Sequence, residues 1–348
     1  LAQARDIIVQ IEVWDRFDFS RDPWQDNPFN PRNNHNYSSA ESGLMERIDT
    51  HPGERENAFF RSVPARDNNT LLLPYQQRHV DKLLSLALNY PNVLYCMDNE
   101  TNEHPAWGAY WADYIRERGQ QSGKQIYLTE MWDAHDLTDP QHDATFEHPE
   151  RYDFVDVSQN NHQVNYTHWA NLQAVRERLK ASGQPRPMNM VKIYGANTGR
   201  YGSHRDAQER MWRAAFGGVA SVRFHRPIAG IGLSEIAQAH IKALRSFTDA
   251  LHVFSCEPHL DLIDWRSINE AYCIADPSRA YGVFFPDGGD VRLKLASSAP
   301  VTLQWLDIRR VTWLPEQTDT ASLREGDELR LQTPQLEGYW AALVRHVG

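Results

Sequence analysis

The stretch Asn92-Val-Leu-Tyr-Cys-Met-Asp-Asn-Glu-Thr-Asn102 holds the residues best suited to chemistry, because Asp98, Asn99 and Glu100 follow directly on an apolar run. Residues 93–97 read as a strand walled on both faces by protein, which presents only its C-terminal tip. Period-two alternation sets Leu94, Cys96, Asp98 and Glu100 on one face. A carboxylic acid at such a tip, partly desolvated and near other carboxylates, has its pKa raised and can protonate a leaving oxygen near neutral pH. Glu100 is the expected acid. Acid chemistry of this kind needs a second carboxylate as nucleophile or base. The candidates are Glu130, Asp98, Asp156, and Glu12 or Asp15. Glu130, in Leu128-Thr-Glu-Met-Trp132, has the best setting: it ends the next expected strand, and Trp132 offers a flat apolar wall two residues on.

Other strand ends carry polar side chains suited to a polyhydroxylated ligand: Trp14 with Asp15, Asn161 with His162, Lys192 with Tyr194, and Arg223 with His225. Each has an alternative reading as a cap or loop-ordering group. No His-x-His or His-Glu-x-x-His spacing occurs, so no metal site is expected, and no organic cofactor is implied. The segment from Phe17 to Tyr37, rich in Asn and aromatics, is too long for a plain connection. It reads either as a pocket-shaping loop or as one stapled by its own Asn side chains.

The elements that must position these residues alternate. Strands are expected at Asp6–Trp14, Val93–Asp98, Gln125–Thr129, Phe154–Ser158, Met188–Tyr194 and Ala220–His225. Helices are expected at about 74–89, 104–122, 167–182, 204–216 and 233–251, with Val80, Leu83, Leu84, Ala87 and Leu88 at helical spacing. Only 133–151 lacks a convincing helix. The alternation predicts a parallel sheet, and no Gly-rich phosphate fingerprint follows any strand. An α/β architecture, a (β/α)8 TIM barrel lacking its first two units, fits better, with the site at the C-terminal ends of the strands. The chain opens without Met, inside what reads as a helix end, and a missing N-terminal segment is expected. After about residue 253 short alternating segments and turns such as Pro286-Asp-Gly-Gly predict an antiparallel β-sandwich. The expected domains are therefore a barrel over 1–252 and a sandwich over 253–348.

A formal charge of −10, with no Lys/Arg-rich stripe, argues against nucleic acid as partner. No apolar run approaches about 18 residues, so no membrane span is expected. Of Cys96, Cys256 and Cys273, at most the last two could pair, and oligomeric state is not legible.

Asn99-Glu100 ending a strand of such a barrel resembles the clan A glycoside hydrolases, whose fourth strand ends in Asn-Glu. With two units missing, Asp6–Trp14 becomes the third strand and Val93–Glu100 the fourth, so the register agrees. The barrel followed by a sandwich with Tyr281-Gly-Val-Phe-Phe-Pro-Asp-Gly-Gly and Leu303-Gln-Trp-Leu-Asp is similar to apiosidase-like proteins with a collagen-binding-type C-terminal domain. The resemblance implies a secreted or periplasmic glycoside hydrolase acting on a plant or microbial polysaccharide or oligosaccharide, with Glu100 as acid/base. It also implies a nucleophilic Glu ending the seventh strand, yet the matching segment, Met188-Asn-Met-Val-Lys-Ile-Tyr-Gly-Ala-Asn197, has no carboxylate. Either another acid such as Glu130 takes that role, or the reaction runs differently, for instance with Asp98 orienting a substrate group that attacks. Two alternatives follow: a non-catalytic carbohydrate-binding barrel, or a polysaccharide lyase using Lys192, Tyr194 or His225 on a uronate.

Overall fold

A computed structural model of the chain describes residues 1–50, 57–195, 202–225, 233–267, 270–296, 300–319 and 328–347. The chain divides into two units, one of residues 1–159 and 179–187, the other of 160–178 and 188–348. The position after residue 252, expected to separate two domains, falls inside the second.

In the first unit β1 (Val9–Asp15), β2 (Val93–Asn99) and β3 (Leu128–Thr129) form a parallel sheet in that order. Its register places Trp14 opposite Asp98, Asp15 opposite Asn99, and Cys96 opposite Thr129. Strand β4 (Val155–Asp156) follows β3, with the Asp153 N–H donating to Leu128 O and the Thr129 hydroxyl to Phe154 O. Helix α1 (Leu73–Ala87) buries Leu73, Val80, Leu84 and Ala87, and α2 (Ala106–Gln121) buries Trp107, Trp111, Ala112 and Ile115, each at the three-to-four spacing that makes one helix face apolar. The two are joined by Gln77 to Tyr110 (2.6 Å) and Tyr114 to Asp81 (3.0 Å). Their apolar faces meet Trp14, whose ring lies 5.7 Å from Trp107 and 5.1 Å from Trp111. As the sequence suggests, 133–151 holds only a 3-10 turn and the short helix Asp143–Phe146.

The loop after β1 is stapled by its own amides. Asn30 Nδ2 donates to the carbonyls of Trp24 and Glu46, Asn33 Nδ2 to those of Gln25 and Asn27, and Tyr37 Oη to that of Phe29. Trp24 is wholly buried, so of the two readings of this loop the self-packed one describes its interior.

In the second unit β5 (Met188–Ile193) and β6 (Ser221–Phe224) are parallel neighbours. Helix α3 (Asn165–Ala181) precedes them; α4 (His204–Phe216), opened by a Ser203/Asp206 capping box, and α5 (Glu235–Leu251) pack within this unit. The remaining strands are antiparallel. One sheet runs Thr312–Trp313 (β13), Val301–Asp307 (β12), Trp340–His346 (β16), Ala280–Phe285 (β10), Tyr272–Asp276 (β9) and Glu257–Pro258 (β7), with Gln317–Asp319 (β14) also on β12. The other orders Glu328–Gln332 (β15), Asp290–Lys294 (β11) and Ile263–Asp264 (β8). Their inner faces share one core, with Val283, Phe285, Trp305 and Val344 from the first and Ile263, Leu293 and Leu331 from the second. Helices α4 and α5 also pack on the larger sheet, Trp212 stacking on Phe284 at 5.3 Å and Phe247 on Trp313 at 5.8 Å. All three cysteines are free thiols. No helix among the described residues is long and apolar enough to cross a membrane.

Candidate active site

Strand β2 carries its burial to the tip: Tyr95 through Asn99 are all buried. It ends at Asn99, because Glu100 takes a left-handed backbone with φ 48°. This conformation is uncommon for a residue with a Cβ and breaks the period-two alternation. Glu100 is therefore part-exposed, whereas Asp98 is sealed, so the expectation that the two share one face does not hold. Beside Glu100, Asn99 Nδ2 donates to Asp15 Oδ1 at 3.0 Å, and the same oxygen accepts the Phe17 N–H at 3.1 Å. Asp15 thus caps the 3-10 turn Arg16–Phe19 and anchors the strand-end amide, while remaining part-exposed.

Glu130 directly follows β3, the strand beside β2. Its side chain runs against α2, so that a Cβ built on Gly108 would fall 1.7 Å from Glu130 Oε2 and 3.2 Å from the Tyr152 hydroxyl. Both its oxygens and both of Asp98's are buried without a hydrogen bond of good geometry. Burial pushes the Glu130 carboxyl well above the usual carboxylate range, and the negative charge of Asp98 adds to this. Burial likewise pushes Asp98 well up; the Arg16 cation draws it back, Asp15 raises it, and Thr101 and the Asn99 backbone offer weak polar support for the anion. The pair is a buried acid couple that favours its protonated form. Asp156 caps its own loop, accepting the Ser158 N–H at 2.8 Å and the Ser158 hydroxyl at 3.0 Å.

Neither aromatic expected to flank the site is a surface platform. Trp14 is core, edge-on to Phe19 and Phe59, because its register partner is the sealed Asp98. Trp132 is buried and donates its indole N–H to Thr145 Oγ1 at 2.8 Å. An ion pair that sequence reasoning missed stands beside them: Arg16 Nη1 to Glu103 Oε2 at 3.0 Å, both side chains buried, with the guanidinium 4.8 Å from the Phe60 ring centroid. Its signal was faint, a charged residue directly after a strand-end Asp.

The remaining candidates belong to the second unit. The Tyr194 and His225 rings lie 4.5 Å apart, and the His225 N–H donates to Ile193 O at 2.9 Å. Asn161 is buried and accepts the Tyr194 N–H at 3.1 Å, a loop-ordering role; His162 is exposed. Lys192 is buried on β5, and Arg223 donates to Val191 O at 3.0 Å from β6. No Asp or Glu occurs between Met188 and Ser203 or between Ala220 and Ser234; Ala196 and Asn197 lie outside the described residues. Among the described residues no three His, Cys, Asp or Glu side chains converge as metal ligands would.

No family model and no curated protein matches this sequence. Solved structures do. A family 5 glycoside hydrolase from Bacteroides vulgatus aligns over 78% of this chain and 66% of its own, at 12% identity and a TM-score of 0.55. Another glycoside hydrolase aligns over 78% and 68%, also at 12% identity and 0.55. The chain thus spans about two thirds of the length of these neighbours and shares their barrel-like α/β fold.

Proposed function

We propose that the protein is a glycoside hydrolase in which Glu100 serves as general acid at the C-terminal tips of the parallel strands. The architecture we infer is a (β/α)8 barrel followed by a β-sandwich, with substrate a polysaccharide or oligosaccharide. One observation carries the reading. A part-exposed carboxylate sits on a left-handed residue directly after a buried strand, next to an Asn locked by a neighbouring strand-end Asp. The strand fixes the carboxylate, the loop leaves it reachable, and the amide and Asp15 supply groups that can hold sugar hydroxyls. Geometry favours Asp15 over Glu130 as second carboxylate: Asp15 is part-exposed at a strand end beside Asn99, whereas Glu130 is buried against α2 and burial disfavours its charged form. Hydrolysis assays on a panel of aryl glycosides and plant polysaccharides test this. Activity that disappears in Glu100→Gln and falls in Asp15→Asn is expected; full activity in both sinks the reading. The missing carboxylate at the β5 end favours a second reading, a barrel that binds glycan without cleaving it, which binding without turnover in the same panel would support.

A further inference from the structure

We propose a glycan-binding platform on the outer face of the three-stranded sheet β15-β11-β8, centred on Trp265, that takes an uncharged saccharide chain. Trp265 follows β8 and is 66% exposed, an unusual position for the largest apolar side chain. Alternation along Ile263, Asp264 and Trp265 would turn the indole inward beside Ile263, which is buried in the sheet core. Instead Trp265 has φ 61°, a left-handed conformation that costs energy for a residue with a Cβ and that swings the ring to the outside. The ring is not loose: the Arg292 guanidinium stands 3.5 Å from its centroid. A strained backbone that gives up burial in order to hold an aromatic plane facing water points to a flat, partly apolar ligand.

The chemistry around the ring narrows the class. The outer face carries Asp264, Asp290, Arg292, Lys294, Glu328 and Arg330, three anions and three cations. They neutralise each other through Arg292 to Glu328 (2.6 Å), Lys294 to Asp264 (2.6 Å) and Arg330 to Asp290 (2.6 Å). A surface with no net charge has no electrostatic pull on nucleic acid, an anionic membrane or a uronate polymer. It does offer many donors and acceptors beside an apolar plane, which is what the two sides of a pyranose ring require. The occupant is therefore a neutral polysaccharide.

Affinity electrophoresis of the full chain tests the proposal, in gels containing xyloglucan, arabinoxylan, galactan, mixed-linkage β-glucan or polygalacturonate. Retardation by at least one neutral polymer is expected, little changed by 0.5 M salt, and weakened roughly tenfold by Trp265→Ala but retained by Trp265→Tyr. Trp265→Ala should keep its thermal midpoint and its activity on small aryl glycosides, because the ring is exposed and is none of the residues assigned to the acid chemistry. Retardation unchanged in Trp265→Ala, retardation by polygalacturonate alone, or no retardation in any gel overturns the platform.

Discussion

Asn99 and Asp15 stand opposite each other at the ends of two parallel strands and are joined by a hydrogen bond of 3.0 Å from the amide to Oδ1. The bond fixes the strand end on which Glu100 turns. Asn99→Ala removes a charge-assisted donor from Asp15, and such bonds contribute about 1.5–3 kcal/mol when partly shielded. The expected result is a modest fall in thermal midpoint and a larger fall in kcat than in KM. Steady-state kinetics alongside calorimetry check it; an unchanged kcat would mean the pair serves folding alone.

Glu100→Gln keeps the shape of the side chain and deletes its proton. For a general acid the expected loss in kcat is about 10²–10⁴-fold, with the fold intact by circular dichroism. A substrate whose leaving group needs no protonation, such as a dinitrophenyl glycoside, should recover much of that loss. Equal losses on good and poor leaving groups would assign Glu100 to substrate binding instead.

The parallel elements were legible because their signals are local. The apolar run at 93–97 could only be a doubly covered strand, and Val80, Leu84 and Ala87 show the helical period directly. The side-chain directions at the tips were not. Alternation places Asp98 and Glu100 together until a single left-handed residue separates them, and no residue type there announces it. Trp132 and Trp14 look the same in sequence whether they face a sugar or a core. The direction of Glu130 is illegible for a related reason: the space its side chain fills is left by Gly108, 22 positions earlier on another element. The packing of α4 and α5 on the antiparallel sheet through Trp212 and Phe247 is likewise illegible, because such contacts leave no periodic trace.

That vacancy gives a test. In an exposed helix, Gly→Ala stabilises by about 1 kcal/mol through backbone entropy. At position 108 the new methyl would meet Glu130 Oε2 at 1.7 Å, and overpacking of a buried site costs roughly 1–3 kcal/mol or more. The clash wins, so Gly108→Ala should destabilise, and Glu130→Ala should recover most of the loss in the double variant. Denaturant titration of the four proteins of the cycle checks this. Additive single effects would mean that Glu130 does not occupy the space above Gly108.

The buried acid couple makes stability depend on pH with a definite sign. The Glu130 carboxyl is held well above its ordinary value of 4.5, and Asp98 well above 3.8. Between the unfolded and folded pKa values the native state therefore binds more protons than the unfolded chain, and the slope of unfolding free energy against pH is negative. Stability should be greatest with respect to these groups near or below pH 4 and fall as pH rises above about 4.5, against the opposite trend of carboxylates in salt bridges. Glu130→Gln, which cannot ionise and keeps the volume, should flatten that fall and make the protein more stable than wild type at pH 8, while the two coincide near pH 4. Urea titrations from pH 4 to pH 8 measure the difference. A gap that does not widen with pH would show that Glu130 is charged in the folded protein, and its place against Gly108 and Tyr152 would then need a counter-ion.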